Sequence, residues 1–486
     1  MASLRRLAKV LSAVRPEVRP RVVLSFVALL SLAALSGVAS AHEVTTRFEA
    51  PIPLDALYLG AGATVALTAL VLSVSSPGTG GESGRTPRRS PSVVVPGRVA
   101  DAARAVARAA FLLAFAGVLA AGLVGTQTPA ENLATVFVWA LWLKGLAVVA
   151  ALVGDPWPAL SPWRTLYDGL TRLEGETVAL ADYPDRLGEW PALAGFLAVV
   201  GVLENLTVVP TRPATTAVLL AAYAAAMVLG AVAFGPEWLR RADFFAVLYR
   251  LFGRVAPVAR ARTDRGLELS ARPPWRGCER PVGSLALAAF VVATVYTVSF
   301  DGFASSPEYE ALLFAAREAT GLGPAVSAPL YLLGYLGFLA AFAGIAALTR
   351  RVAGGGRGAG EPSRRSRSTA SAARALAPTL VPIAVGYELA HNAAFVLTRL
   401  GDFVGLLGGP ELALLSWLSL PAFWAGQVLL VVGGHVVAVV AAHAVVSGPG
   451  GAGGAGRTAR RHAPLTALMV GYTVLSLWVI SRPVVA

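Results

Sequence analysis

About eleven long apolar stretches run through the chain, and most of the arginines lie in every second connection between them. A helix of roughly 18 or more apolar residues is long enough to cross the hydrocarbon core of a bilayer. Because lipid offers the backbone no hydrogen-bond partners, such stretches are expected to be helices. They lie near 22–41, 54–74, 106–125, 133–153, 192–209, 214–234, 282–300, 328–348, 375–397, 419–446 and 464–481.

The overall composition supports the same fold class. Hydrophobic residues make up 56% of the chain and charged residues only 14%, whereas soluble proteins carry about 25% charged residues. The alternation of apolar and polar residues that is typical of membrane barrels is absent from the sequence. The sequence therefore predicts an all-α, polytopic transmembrane helical bundle of about 10–11 spans, with the lipid bilayer as its main partner and 42–486 as one domain.

The distribution of basic residues predicts the orientation. Of the 41 lysines and arginines, 34 fall in one set of alternate connections. Basic residues favour the cytoplasmic side of a membrane. We therefore expect a multi-pass plasma-membrane protein with a cytoplasmic amino terminus, and with residue 42 and the carboxyl terminus outside. The net charge of +13 does not indicate a nucleic-acid partner, because the basic residues are dispersed along loops.

The first apolar stretch has two interpretations. Residues 1–41 combine a basic leader, an apolar run and the small residues Ala39-Ser40-Ala41, a pattern typical of a secretory signal peptide. Cleavage after Ala41 would make His42 the amino terminus. The alternative is an uncleaved first transmembrane span, and both interpretations place His42 outside.

The cytoplasmic connections are of two kinds. Segments near 77–98, 354–372 and 447–461 are rich in Gly, Ser, Pro and Arg, which predicts disordered linkers. Segments 162–173 and 236–256 have one apolar and one basic helical face, which predicts short helices in the inner membrane interface with arginines toward anionic headgroups. Ser161 and Pro162 are suited to begin the first of these helices.

Polar side chains inside the predicted spans are the candidate functional residues, because ionisable groups in lipid are costly and usually face the bundle interior. With a rise of about 1.5 Å per residue, four of them and His42 fall in the outer half and can reach one outward-opening cavity. The four are Glu204, Asp301, Glu388 and His391. Lys144 and His435 lie nearer the midplane, and His443 lies near the cytoplasmic end.

Three interpretations of these residues remain open. In the structural one, Glu388 pairs with Lys144 as a buried ion pair. In the ion-pathway one, Lys144, Glu204 and Glu388 line a route for protons, metal ions or a small solute, as in a transporter or channel.

The third interpretation is a metal-dependent hydrolase. Glu388 and His391 are three residues apart, a spacing that can place a carboxylate and an imidazole on one ion. The cofactor would be a divalent or copper ion, with Asp301 or Glu204 as the general base toward a bound water. The metal ligands would come from His42, Glu388, His391 and His435.

Several segments also resemble a family of multi-spanning membrane proteins found in actinobacteria and haloarchaea. They include GTQTPAENLATVFVW at 125–139, SPWRTLYD at 161–168, YPDRLGEWPAL at 183–193, SFDGF at 299–303 and LVPIAVGYELAH at 380–391. Some members of that family are labelled fenitrothion hydrolase, so the resemblance implies hydrolysis of an organophosphate ester. The matching segments also include Ala-His at 41–42 and the Gly-His and Ala-His pairs that end at His435 and His443. The residues within all these segments to which the resemblance adds weight are His42, Asp301, His391, His435 and His443.

Overall fold

The computed structural model describes residues 53–75, 91–354, 368–410, 412–447 and 455–482, and it is mainly helical. Within these ranges, ten helices are long and apolar enough to cross a membrane. They correspond to the second through eleventh predicted stretches, so the predicted all-α transmembrane bundle is confirmed. The first predicted stretch, the cleavage site at Ala41 and His42 lie outside the described residues.

The helices are numbered here in chain order. They are α1 (Leu54–Ser75), α2 (Gly97–Val124), α3 (Leu133–Val153), α4 (Trp157–Leu160), α5 (Pro162–Glu174), α6 (Trp190–Phe196, continuing through Leu197–Glu204), α7 (Pro213–Phe234), α8 (Pro236–Arg241), α9 (Phe244–Phe252), α10 (Leu285–Ala304), α11 (Pro307–Thr320), α12 (Ser327–Gly354), α13 (Thr369–Leu376), α14 (Val381–Leu406), α15 (Leu420–Ser447) and α16 (Ala455–Ile480). The strands are β1 (Ser92–Pro96), β2 (Val258–Thr263) and β3 (Gly266–Ala271). Short 3₁₀ turns precede several helices, among them Ala377–Leu380 before α14.

Helix α10 forms the centre of the bundle. In its most apolar 18-residue window, 89% of the residues are buried, against 22% for α2 at the periphery. The hydroxyl of Ser284 caps α10 by accepting a hydrogen bond from the backbone N–H of Leu287 at 3.0 Å. Helices α6, α12, α14 and α16 surround it, so residues on α10 can meet side chains from several other spans.

A small antiparallel sheet, in the order β1-β3-β2, was not predicted. Ser92 pairs with Ser270 across β1 and β3, and Val258 pairs with Ala271 across β2 and β3. The prediction of a disordered linker over 77–98 is therefore wrong for its last residues, where three consecutive valines suit a strand. The other two linker predictions extend too far, because α13 begins at Thr369 and α16 at Ala455.

Contacts between connections agree with the side assigned to each by the arginine pattern. The pairing of β1 with β3 brings together two arginine-rich connections, those before α2 and after α9. The backbone N–H of Val282 donates to the carbonyl of Arg374 at 2.9 Å, which links a third such connection. Among the arginine-poor segments, Arg482 forms a 3.0 Å ion pair with Glu308. Each of these contacts joins connections that the arginine pattern assigns to the same side.

The predicted short helices between spans are confirmed as helices. Ser161 caps α5 and Pro162 begins it, while Gly175 ends it with a left-handed φ of 82°. The segment 236–256 forms two helices, α8 and α9, which are separated by Ala242 and Asp243. Most residues of α9 are buried in contact with α3 and α6, so this helix packs against protein rather than lying mainly in the lipid interface.

Candidate functional site

Two spans contain unusual π-helical segments, and each segment carries a charged candidate residue. In α3, residues Val136–Gly145 are π-helical and include Lys144. In α6, residues Leu197–Glu204 are π-helical and end at Glu204. Such wide turns are rare and often occur at functional sites. No sequence pattern indicates them, because both segments are apolar on nearly every face.

Lys144 is the centre of a buried charge cluster. Its Nζ atom lies 3.2 Å from Oε1 of Glu204 and 3.5 Å from Oδ2 of Asp301. All three side chains are 6% exposed. Helices α3, α6 and α10 thus each contribute one charge to the interior of the bundle. The ion pair predicted for Lys144 was with Glu388. Within the described residues, the carboxylates found within 4.0 Å of Lys144 are those of Glu204 and Asp301.

Helix α14 completes the cluster with His391 and Glu388. Nε2 of His391 lies 3.7 Å from Oδ2 of Asp301. Glu388 is 3% exposed and lies close enough to Lys144 and Asp301 to interact electrostatically with both. The His391 side chain is 27% exposed, so the cluster reaches the surface of the described fold at this residue. We call Lys144, Glu204, Asp301, Glu388 and His391 the Lys144 cluster.

Close packing of α14 against α15 holds its part of the cluster in place. The two helices cross at Gly386 and Gly434, where a Cβ atom on Gly386 would lie 2.6 Å from the carbonyl oxygen of Leu430. Small residues let transmembrane helices approach closely enough for backbone contact. A similar approach occurs in α6, where a Cβ on Gly201 would lie 2.2 Å from the hydroxyl of Tyr331.

The charges of the cluster do not balance. Three carboxylates face one ammonium group, and His391 adds at most one further positive charge. Within the described residues, Oε2 of Glu204 and Oε1 of Glu388 are buried without a hydrogen-bond partner. The buried amide of Asn392, one turn beyond Glu388, lies beside the Glu388 carboxylate, but its two polar atoms make no well-aligned hydrogen bond in the described residues. Unpaired charges in a medium of low polarity are costly, so this arrangement favours the binding of protons or another cation.

The predicted metal ligands do not form a common site in the described residues. Across 53–75, 91–354, 368–410, 412–447 and 455–482, no group of three or more His, Cys, Asp or Glu side chains is placed to hold one ion. Nδ1 of His435 lies 2.8 Å from the carbonyl oxygen of Val431, and its ring packs 5.7 Å from that of Tyr472. His42 lies outside these ranges, so a metal site that includes it stays a prediction.

The roles predicted for Asp301 and Glu204 as general bases also stay untested. Both carboxylates are in contact with the Lys144 ammonium. Glu204 and Asp301 lie together around an amine, the ammonium of Lys144. His443 lies apart, with its Nε2 atom 3.4 Å from the hydroxyl of Ser447.

A further buried carboxylate, Asp243, was not among the predicted candidates. One of its oxygens accepts hydrogen bonds from the indole N–H groups of Trp157 and Trp163, both at 2.7 Å. The other accepts from the hydroxyl of Tyr223 at 2.9 Å and from the backbone N–H of Phe245 at 3.1 Å. The available signal was an aspartate directly before an apolar helical run, a typical N-cap.

Comparison of the chain with protein-family models, with curated proteins and with solved structures finds no match. The resemblance to membrane proteins labelled fenitrothion hydrolase therefore remains an expectation. The findings so far establish an integral, multi-pass membrane protein with a buried charge cluster. Its function must be inferred from the chemistry of that cluster.

Proposed function

We propose that the protein transports protons or small cations across the membrane through the Lys144 cluster. The observation that carries this proposal is the excess of buried carboxylates over cationic partners. Such an excess is relieved when a proton or a cation binds, and it returns when the ion leaves. A transport site needs this balance, since binding must be favourable enough for entry and weak enough for release.

The position of the cluster supports the same function. It lies inside the bundle, between four spans, and it reaches the surface of the described fold at His391. Ionisable groups within transmembrane helices typically mark substrate or ion pathways. In the proposed plasma-membrane orientation, with arginine-rich connections in the cytoplasm, the His391 end of the cluster faces outward.

Each residue has a distinct part in this proposal. Glu204 and Glu388 hold the transported ion, because each has a buried oxygen without a partner among the described residues. Lys144 keeps the carboxylates from binding that ion too tightly, through its contacts with Glu204 and Asp301. His391 lies next to Asp301 and exchanges protons with the outer side.

A flux measurement tests the proposal. Purified protein is reconstituted in liposomes that contain a pH-sensitive dye, and a pH gradient is imposed, followed by Na⁺ and K⁺ gradients. The Glu388→Gln variant is expected to lose flux on the order of 10²-fold, because the amide cannot take up a proton or balance a cation. Glu308→Gln is the matched control. Glu308 lies on α11, is not part of the Lys144 cluster, and pairs with Arg482.

Two outcomes would contradict the proposal. One is wild-type protein that moves neither protons nor alkali cations faster than empty liposomes do. The other is a Glu388→Gln variant with the same flux as wild type, which would remove Glu388 from the pathway. The metal-dependent hydrolase stays a separate prediction, and elemental analysis of the purified protein with an intact mass tests it.

A further inference from the structure

Tyr249 connects the inner part of the bundle to the segment that carries Lys144. It lies on α9 and is fully buried. Its hydroxyl is 2.8 Å from the carbonyl oxygen of Trp142 and 3.3 Å from that of Leu143. Trp142 and Leu143 are the two residues that directly precede Lys144 in the chain. A tyrosine on one helix thus donates to the backbone of another at the point that determines where the ammonium lies.

The backbone receiving this hydrogen bond is the end of the π-helical segment in α3. At this end, the N–H of Leu146 is shared between the carbonyls of Leu141 and Trp142. A turn closed by i→i+5 bonds contains more residues than one closed by i→i+4 bonds. A change to α-helical bonding would therefore rotate Lys144 about the helix axis, away from Glu204 and Asp301. An additional donor at Trp142 and Leu143 favours the register that the structure shows.

We infer that Tyr249 is a positioning residue for Lys144, and that its hydroxyl holds the π-helical register in which the ammonium reaches Glu204 and Asp301. This inference deepens the proposed function, and its consequence for transport rests on it. Tyr249 does not touch the transported ion. It acts by fixing the backbone from which Lys144 extends.

The helix that carries Tyr249 is itself firmly held. Asp243 caps α9 and accepts hydrogen bonds from three other elements, through Trp157 on α4, Trp163 on α5 and Tyr223 on α7. The ring of Tyr249 also packs against that of Trp157, with centroids 5.5 Å apart. The hydroxyl is therefore fixed relative to the surrounding helices, which a group that positions a backbone requires.

A double-mutant cycle tests the inference. Tyr249→Phe removes only the hydroxyl, and Glu204→Gln removes the charge nearest to Lys144. Thermal midpoints in detergent are measured for wild type, both single variants and the double variant, and the reconstituted flux is measured for wild type and Tyr249→Phe. If the tyrosine acts through Lys144, Tyr249→Phe lowers the midpoint less in the Glu204→Gln background than in wild type. Its flux is expected to fall about tenfold, because the ammonium is displaced.

The control is Tyr183→Phe, which removes another buried tyrosine hydroxyl that donates to a backbone carbonyl, that of Gly188 at 2.7 Å. Its midpoint shift is expected to be the same in both backgrounds. An equal shift for Tyr249→Phe in both backgrounds would overturn the inference. If Glu204→Gln does not fold, Asp301→Asn takes its place in the cycle.

The failure of the proposed function would look different. Absence of wild-type flux removes the transport proposal, while the thermal cycle still decides whether Tyr249 and Lys144 are coupled. Midpoint shifts that are not additive, together with a tenfold loss of flux in Tyr249→Phe, support both the positioning role and the transport proposal. Additive midpoints with normal flux in Tyr249→Phe reject the positioning role and leave the transport proposal in place.

Discussion

Two of the buried carboxylate sites in the described residues differ in how fully their oxygens are hydrogen-bonded. Asp243 accepts hydrogen bonds from two indoles, one phenol and one backbone amide, so that both of its oxygens are satisfied. The Lys144 cluster has three carboxylates around one ammonium, and two of those carboxylates keep a buried oxygen without a partner in the described residues. The first site is saturated, whereas the second is not.

This difference separates a structural role from a functional one. A buried polar group with all its hydrogen bonds fixes one arrangement of the surrounding elements. Asp243 does so for the four helices that meet around it on the predicted inner side. An undercompensated cluster lowers stability, and proteins tolerate such a loss where function requires it.

The largest effect on stability is expected for Lys144→Met. Removing the ammonium leaves Glu204 and Asp301 buried without their cationic partner, which costs about 3–5 kcal/mol of unfolding free energy. Adding Glu204→Gln is expected to restore part of that loss, because it removes one unpaired charge. Denaturant titration in detergent measures both values.

Arg108→Met is the control for this loss, since Arg108 also makes an ion pair from within a span, with Asp168 at 2.8 Å, but is partly exposed. We expect it to cost no more than about 1 kcal/mol. An equal cost for both variants would show that the Lys144 cluster is as well solvated as the peripheral pair, and the comparison would fail.

Asp243→Asn is expected to destabilise the protein by about 2–4 kcal/mol, since the new amide places donors against donors and leaves buried N–H groups unpaired. Flux per folded molecule should remain close to the wild-type value, because Asp243 lies outside the cluster. The same titration and the liposome assay check these two outcomes. A variant of normal stability would mean that the four hydrogen bonds contribute little.

Much of the fold follows from composition and spacing, but the site does so only in part. The spans were predictable because any apolar run of sufficient length must be a helix in lipid. The residues of the Lys144 cluster are predictable as candidates because they are polar residues within such runs. The depth of each along its helix also places all of them except Lys144 in the outer half of the membrane. Their partners were not predictable, because contacts between spans depend on helix rotation.

The rotation of a helix about its axis could not be predicted where the helix departs from regular α-helical geometry. In α3 and α6 the apolar residues surround the helix, so the sequence has no periodicity from which a π-helical register could be recognised. The pairing of Ser92 with Ser270 across the sheet joins residues far apart in sequence, and it escaped prediction for a similar reason. The hydrogen bonds of Asp243 depend on three helices whose packing no local pattern encodes.

Glu204→Gln is expected to behave in the opposite way to Asp243→Asn. It removes one of three carboxylates from an undercompensated site, so stability should change by no more than about 1 kcal/mol in either direction. Flux should nevertheless fall, since the variant loses one of the groups proposed to hold the ion. A large loss of stability with normal flux would reverse the roles assigned to the two sites.

The smallest effect is expected from cysteine labelling, which tests which side of the membrane the Asp243 site and the Lys144 cluster each face. Cys278 is fully buried, and burial raises the pKa of its thiol to about 12, so it should not react with an impermeant maleimide in the native protein. Single cysteines are therefore introduced at the exposed positions Ala130, Glu310 and Leu173, and Cys278 is kept. Those at 130 and 310 should label in intact cells, and the one at 173 only after permeabilisation. The reverse pattern would place the Asp243 side outside, and His391 would then open toward the cytoplasm.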